Sequence, residues 1–146
     1  MNEKLWRIHG MPIHCSTILA LLLLCGAAGC ADNQPEMGMV RGIVTLNGTP
    51  LTGGWVHSHP ELGRGAAGSI QRDGTFELST TDFGKGAVVG KHVLTVMAYE
   101  EVPDGVDPDI DEKSLVPQKY TQPGSSGLSV EVVGGEEKHV SLDLKK

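Results

Sequence analysis

The chain has 146 residues, 39% of them apolar, and a formal net charge of −6. That length supports one domain of ordinary size, and the acidic balance excludes a nucleic-acid binder, whose affinity rests on Lys and Arg at phosphates. Twenty glycines, eight prolines and only 4% aromatic residues imply many turns, little helix and no broad stacking platform for sugars or bases.

Residues 1–29 have the three-part layout of a secretory signal. Lys4 and Arg7 oppose Glu3, residues 16–24 form the apolar stretch, and Gly26, Ala27, Ala28 and Gly29 are small. The apolar stretch is shorter than the about 20 residues a membrane span needs. Residues 21–30, LLLLCGAAGC, resemble the lipobox of bacterial lipoproteins, with Ala27 where that motif usually has Leu. The resemblance implies cleavage before Cys30 and lipidation of Cys30. An uncleaved anchor helix and a signal cut without lipidation are the alternatives. Lipid makes the membrane the first expected partner and places the protein outside the cytosol, in the periplasm or at the cell surface. Each buried methylene contributes about 0.8 kcal/mol and a single chain holds marginally, so the two or three chains of such lipoproteins give lasting attachment. Cys15, Cys25 and Cys30 all lie in this segment. The mature domain is therefore expected to fold without a disulfide, with a net charge near −7.

Residues 30–38 read as a short polar tether. In residues 39–46, Val40, Val44 and Leu46 alternate with Arg41 and Thr45, the period of a half-buried strand. Asn47-Gly48 follows as a tight-turn signal. Residues 55–59 form a second predicted strand, and residues 69–71 and 75–79 flank Asp73-Gly74 as a hairpin. Residues 91–99 are the longest predicted strand, with Leu94, Val96 and Ala98 on one face and Val93 and Met97 on the other. Residues 100–127 are acidic, Pro-rich and aperiodic, which predicts a surface loop. Residues 128–133 and 138–144 predict a last hairpin around Gly134-Gly135. No segment has a helical period. Short strands at turn-marked intervals predict an all-β domain over residues 39–146, an antiparallel β-sandwich of about seven strands.

VRGIVTLNGTPLTGGWV, SIQRDGTFELST and GAVVGKHVLTV resemble the carboxypeptidase regulatory-like family, a transthyretin-like, Ig-like β-sandwich. The tail LVPQKYTQPGSSGLSVEVVGGEEKHVSLDL resembles the end of a group of small bacterial lipoproteins built on that domain. The likeness covers nearly all of residues 40–144. It implies a non-catalytic, extracytoplasmic accessory domain with no cofactor, whose partner is an envelope protein or a polysaccharide. The family's usual member has an aromatic where His92 stands and a β-former such as Thr where Trp55 stands.

His57 and His59 are two apart on a strand, so both imidazoles point to one face. Joined by His92 from a neighbouring strand, they form a candidate Zn²⁺ or Cu²⁺ site; surface histidines on an exposed face are the plain reading. Asp107, Asp109 and Asp111 begin like a calcium loop, but Glu112 and Gln118 stand where it needs Gly and a bidentate Glu. GRGAAG, residues 63–68, fits the dinucleotide fingerprint only by letter, because no helix follows to hold a pyrophosphate; Arg64 is left as a possible anion contact. Asn47-Gly48-Thr49 forms a glycosylation sequon that the turn already explains, and Ser125 and Ser126 lack the G-x-S-x-G pattern of a hydrolase elbow. Trp55 with Tyr99 or Tyr120 is a candidate sugar platform; aromatics at such positions more often fill a core or cap a sheet edge.

Overall fold

The computed structural model describes residues 34–100 and 113–146. These residues form two sheets facing one core. The strands are β1 (Met37–Leu46), β2 (Thr49–Pro50), β3 (Trp55–Pro60), β4 (Ala66–Ser69), β5 (Thr75–Glu77), β6 (Ser79–Thr80), β7 (Gly84–Lys85), β8 (Ala87–Val88), β9 (Gly90–Met97), β10 (Leu128–Val132) and β11 (Glu137–Leu144). The all-β expectation is met, but eleven strands replace the expected seven among the described residues. β2, β6, β7 and β8 are two residues long. Pieces that short leave no period-two signature to find.

β1 is the hub of a five-stranded sheet. β11 runs along one edge of β1 from Met39↔Glu137 to Leu46↔Leu144. The other edge is shared by β8 at Met37 and Gly38, β5 at Arg41 to Ile43, and β2 at Thr45 and Leu46. Asn47 and Gly48 both have positive φ (51° and 81°), as a two-residue hairpin turn of this hand requires. The second sheet has the order β10-β9-β3-β4-β6-β7. Period-two alternation fills the space between the sheets: Val40, Val44, Leu142 and Leu144 from one, Val56, Leu94, Val96, Val130 and Val132 from the other. Gly42 sits between its ladder partners Val140 of β11 and Phe76 of β5, and a Cβ there would collide with the Val140 carbonyl and the Phe76 ring.

Several expectations are corrected. The sandwich is not wholly antiparallel, because β1 and β11 run parallel. The final hairpin does not exist: β10 pairs with β9 and β11 with β1, so Gly134-Gly135 carries the chain from one sheet to the other. The turn at Asp73-Gly74 forms, with the Gln71 N–H donating to the Thr75 carbonyl at 2.8 Å. Its arms again part, β4 to β3 and β6, β5 to β1. A strand has two edges, and alternation fixes its faces without naming the neighbour on either edge. At ten residues β1 is longer than the eight of β9. β1 also takes in Met37 and Gly38, so the tether cannot extend to residue 38; Gly38 is buried beside β8. The expected surface loop partly packs inward: a 3-10 turn spans Gln118–Thr121, and Val116, Tyr120 and Ser126 are buried. Cys30, the signal segment and Asp107, Asp109 and Asp111 lie outside the described residues.

Candidate functional site

The outer face of the five-stranded sheet carries a groove of about 750 Å³. Alternation sends Arg41 and Ile43 of β1, Thr75 and Glu77 of β5, and His139 and Ser141 of β11 to this side, opposite the core-facing Val40, Val44, Phe76 and Leu142. Ser69 and Gln71 complete the lining, and the Gln71 side-chain amide donates to Ser69 Oγ at 3.0 Å. Ile43 supplies the apolar floor.

A chain of charges crosses the groove. Lys85 Nζ lies 2.8 Å from Glu77 Oε1, and Arg41 Nε donates to Glu77 Oε2 at 2.7 Å. Arg41 Nη1 reaches Glu137 Oε1 at 3.2 Å, and His139 Nε2 is 3.0 Å from that oxygen. Hydrogen bonds from Lys85 and then Arg41 hold the Glu77 carboxyl below the usual range. The hydrogen bond to Glu77, and then the charge of Glu137, raise the Arg41 guanidinium. Both signs are thus fixed along one wall of a partly apolar trough.

The histidines do not assemble. His57 and His59 of β3 point outward, and His59 Nε2 is 3.0 Å from Thr95 Oγ1. His92 is 1% exposed and lies on the core face of β9, two residues before Leu94. The proposed metal set therefore sits on opposite faces of one sheet. Among the described residues no three His, Cys, Asp or Glu side chains are placed to hold an ion. His92 has a different employment. Its Nε2 is 2.7 Å from the Val88 carbonyl, which can only accept, so Nε2 carries the proton. Nδ1 is hydrogen-bonded to Ser58 Oγ at 3.2 Å. Ser58 Oγ in turn accepts the Ala66 N–H at 2.9 Å. Both ring nitrogens thus have partners inside the core.

Trp55 is 53% exposed and Tyr99 45% exposed. Trp55 pairs in register with Met97, and Tyr99 lies two residues further on the same side. Tyr120 is in the core, its Oη accepting the Lys145 N–H at 3.0 Å, so it takes no part in a platform. Gly54, immediately before Trp55, has φ +115° and no room for a Cβ against the Met97 carbonyl, which fixes where the indole leaves the sheet. Arg64 is engaged by Asp82 at 2.5 Å and stands 5.9 Å from the Phe83 ring centre, and GRGAAG runs into β4. Ser125 Oγ donates to the Lys119 carbonyl and Ser126 Oγ accepts the Leu128 N–H, both local turn bonds. The groove itself was missed by sequence reasoning. Its residues span positions 41 to 141 with no local spacing to betray them.

The electrostatics set a pH dependence. Partial burial, and secondarily the charge of His57, hold the His59 imidazole below its usual range. A base with a depressed folded pKa binds more protons when unfolded, so acidification below about pH 6.5 favours unfolding. The carboxyls of Glu77, Asp73 (held by the Thr75 hydroxyl and N–H) and Asp143 (held by Lys145, then Thr45) are also depressed. Their contribution is complete above about pH 4.3 and is lost as pH falls through the folded values. Urea midpoints should be level at neutral pH, decline gently from about pH 6.5, and drop steeply below about pH 4.3. His59→Asn should shrink the gentle phase and leave the steep one unchanged. A gentle phase of undiminished size after the substitution would show that His59 does not contribute to it.

Comparison with protein-family models and with curated proteins gives no match. Among solved structures, a DUF3823 family protein from Parabacteroides merdae is similar over 76% of this chain, at 16% identity and a TM-score of 0.42. The chain spans about half the length of that protein, 47%.

Proposed function

We propose that the protein is a lipid-anchored, extracytoplasmic module of the cell envelope that holds an extended protein segment in its groove and catalyses no reaction. The groove over Arg41, Ile43, Glu77 and His139 carries this reading. An apolar floor between fixed charges of both signs suits a peptide, whose side chains alternate in character. A glycan is less well served, because sugar rings stack on aromatic faces and the one aromatic of the lining, Phe76, is only 3% exposed. The anchor half rests on LLLLCGAAGC at residues 21–30, and the finer fold assignment, a carboxypeptidase regulatory-like and transthyretin-like sandwich, on the segments quoted for it.

Capture from envelope extract with the full chain tests both halves. The wild type is expected to retain a protease-sensitive partner, and Ile43→Arg to weaken retention about tenfold, the equivalent of 1.4 kcal/mol. Equal retention by both chains removes the groove from the mechanism. Muramidase-sensitive but protease-resistant retention replaces the protein partner by a polysaccharide. Cys30→Ser is expected to move the protein to the soluble fraction; a wild type already found there ends the anchor reading.

A further inference from the structure

β11 ends its sheet. Its even-numbered residues turn their backbone groups to β1: the Met39 N–H donates to the Glu136 carbonyl at one end and the Asn47 N–H to the Leu144 carbonyl at the other, with an unbroken parallel register between. Glu137, His139, Ser141 and Asp143 therefore aim their N–H and C=O groups away from β1. Among the described residues no strand pairs with that side. The free stretch stops at Lys145, whose N–H is taken by Tyr120 Oη.

A bare edge is a template for another strand. The charges on this one have an order. Glu136 and Glu137 come first, Lys138 and His139 follow, and Asp143, Lys145 and Lys146 come last. Acid at one end and base at the other is self-complementary when the strand meets its own reverse.

We propose that β11 pairs antiparallel with β11 of a second copy of this chain, about a twofold axis through Ser141. Ser141 then faces itself and His139 faces Asp143 as hydrogen-bonded antiparallel pairs. Beyond them the Lys145 N–H stays with Tyr120 Oη, and only side chains come opposite: Glu137 with Lys145 of the second copy, and Glu136 with Lys146. Slipping the register by two residues destroys the match. In one direction Glu137 meets Asp143; in the other His139 meets Lys145 and Lys138 meets Lys146. Opposite charges across strands stabilise and like charges destabilise, so one register is selected. The interface is isologous and closes, making one continuous sheet through two copies.

Sedimentation of the full-length chain in detergent, allowing for the bound detergent, should show a dimer. Glu137→Lys alone and Lys145→Glu alone should each weaken dimerisation about tenfold. The two together should restore it, because the swapped charges still oppose. Restoration separates the proposal from a loss of fold, since both residues also make contacts within the chain. Ser141→Cys should cross-link two copies on oxidation, beyond any cross-linking of the wild type, because cysteines facing across such a pair lie within disulfide range. A monomeric wild type overturns the proposal. So does a dimer that Ser141→Cys fails to cross-link, or a double variant no better than the singles.

Discussion

Replacing Ser58 by alanine is expected to cost about 2–6 kcal/mol, an unusual loss for one oxygen atom. The hydroxyl is 2% exposed and serves two buried groups, accepting from the Ala66 N–H and sharing a hydrogen bond with His92 Nδ1. Its removal leaves both without a partner, at about 1–3 kcal/mol each. Ser58→Cys, of similar volume, should fall between wild type and Ser58→Ala. His92→Phe makes the complementary test. It keeps the ring and roughly the volume, but it leaves the Val88 carbonyl and the Ser58 hydroxyl short of a partner. It should destabilise, and less in the Ser58→Ala background than in the wild type, since neighbours in one network are not additive. Urea unfolding of the four chains gives the cycle. Equal losses in both backgrounds would mean that Ser58 and His92 do not act together.

Leu94→Ala should cost about 2–5 kcal/mol, a large share of the 5–15 kcal/mol that holds a domain of this size folded. Leu94 is 0% exposed and lies at the middle of β9, between Ser58 of β3 and Leu128 of β10. β9 itself is hydrogen-bonded on both sides, to β3 and to β10, and cannot shift to fill the space. The urea midpoint should fall with the slope unchanged. The outward Val93, with nearly the same backbone environment, should tolerate alanine far better. Similar losses at both positions would show that the two faces of β9 are not distinguished as burial indicates.

The faces of this fold were legible in the chain, and its neighbours were not. Val40, Val44 and Leu46 announced the inward side of β1, and Asn47-Gly48 announced the turn into β2. Leu94, Val96 and Ala98 marked the inner face of β9, and the same parity assigns His92 to that face. It also sends His57 and His59 outward, because Val56 and Ser58 point inward. The separation of the three histidines was thus available from period two alone, once two strands were read together. What alternation cannot supply is the partner of an edge. β11 looks like the return arm of a hairpin with β10, yet it pairs with a strand about a hundred residues away, as the Thr45–Asp143 bond across 98 positions shows. The groove inherits that long reach, since Arg41, Glu77 and His139 become neighbours only after β1 has received β5 and β11.

The union of β1 with β11 also orders events in time. Residues at position 39 find their ladder partners at position 137, so the five-stranded sheet cannot close while the tail is still being synthesised. Until then β1 has one bare flank, and closing so long a loop comes before the contacts that reward it. A nascent chain in this condition depends on being kept from premature association, and a copy cut short before β11 would stay in it permanently.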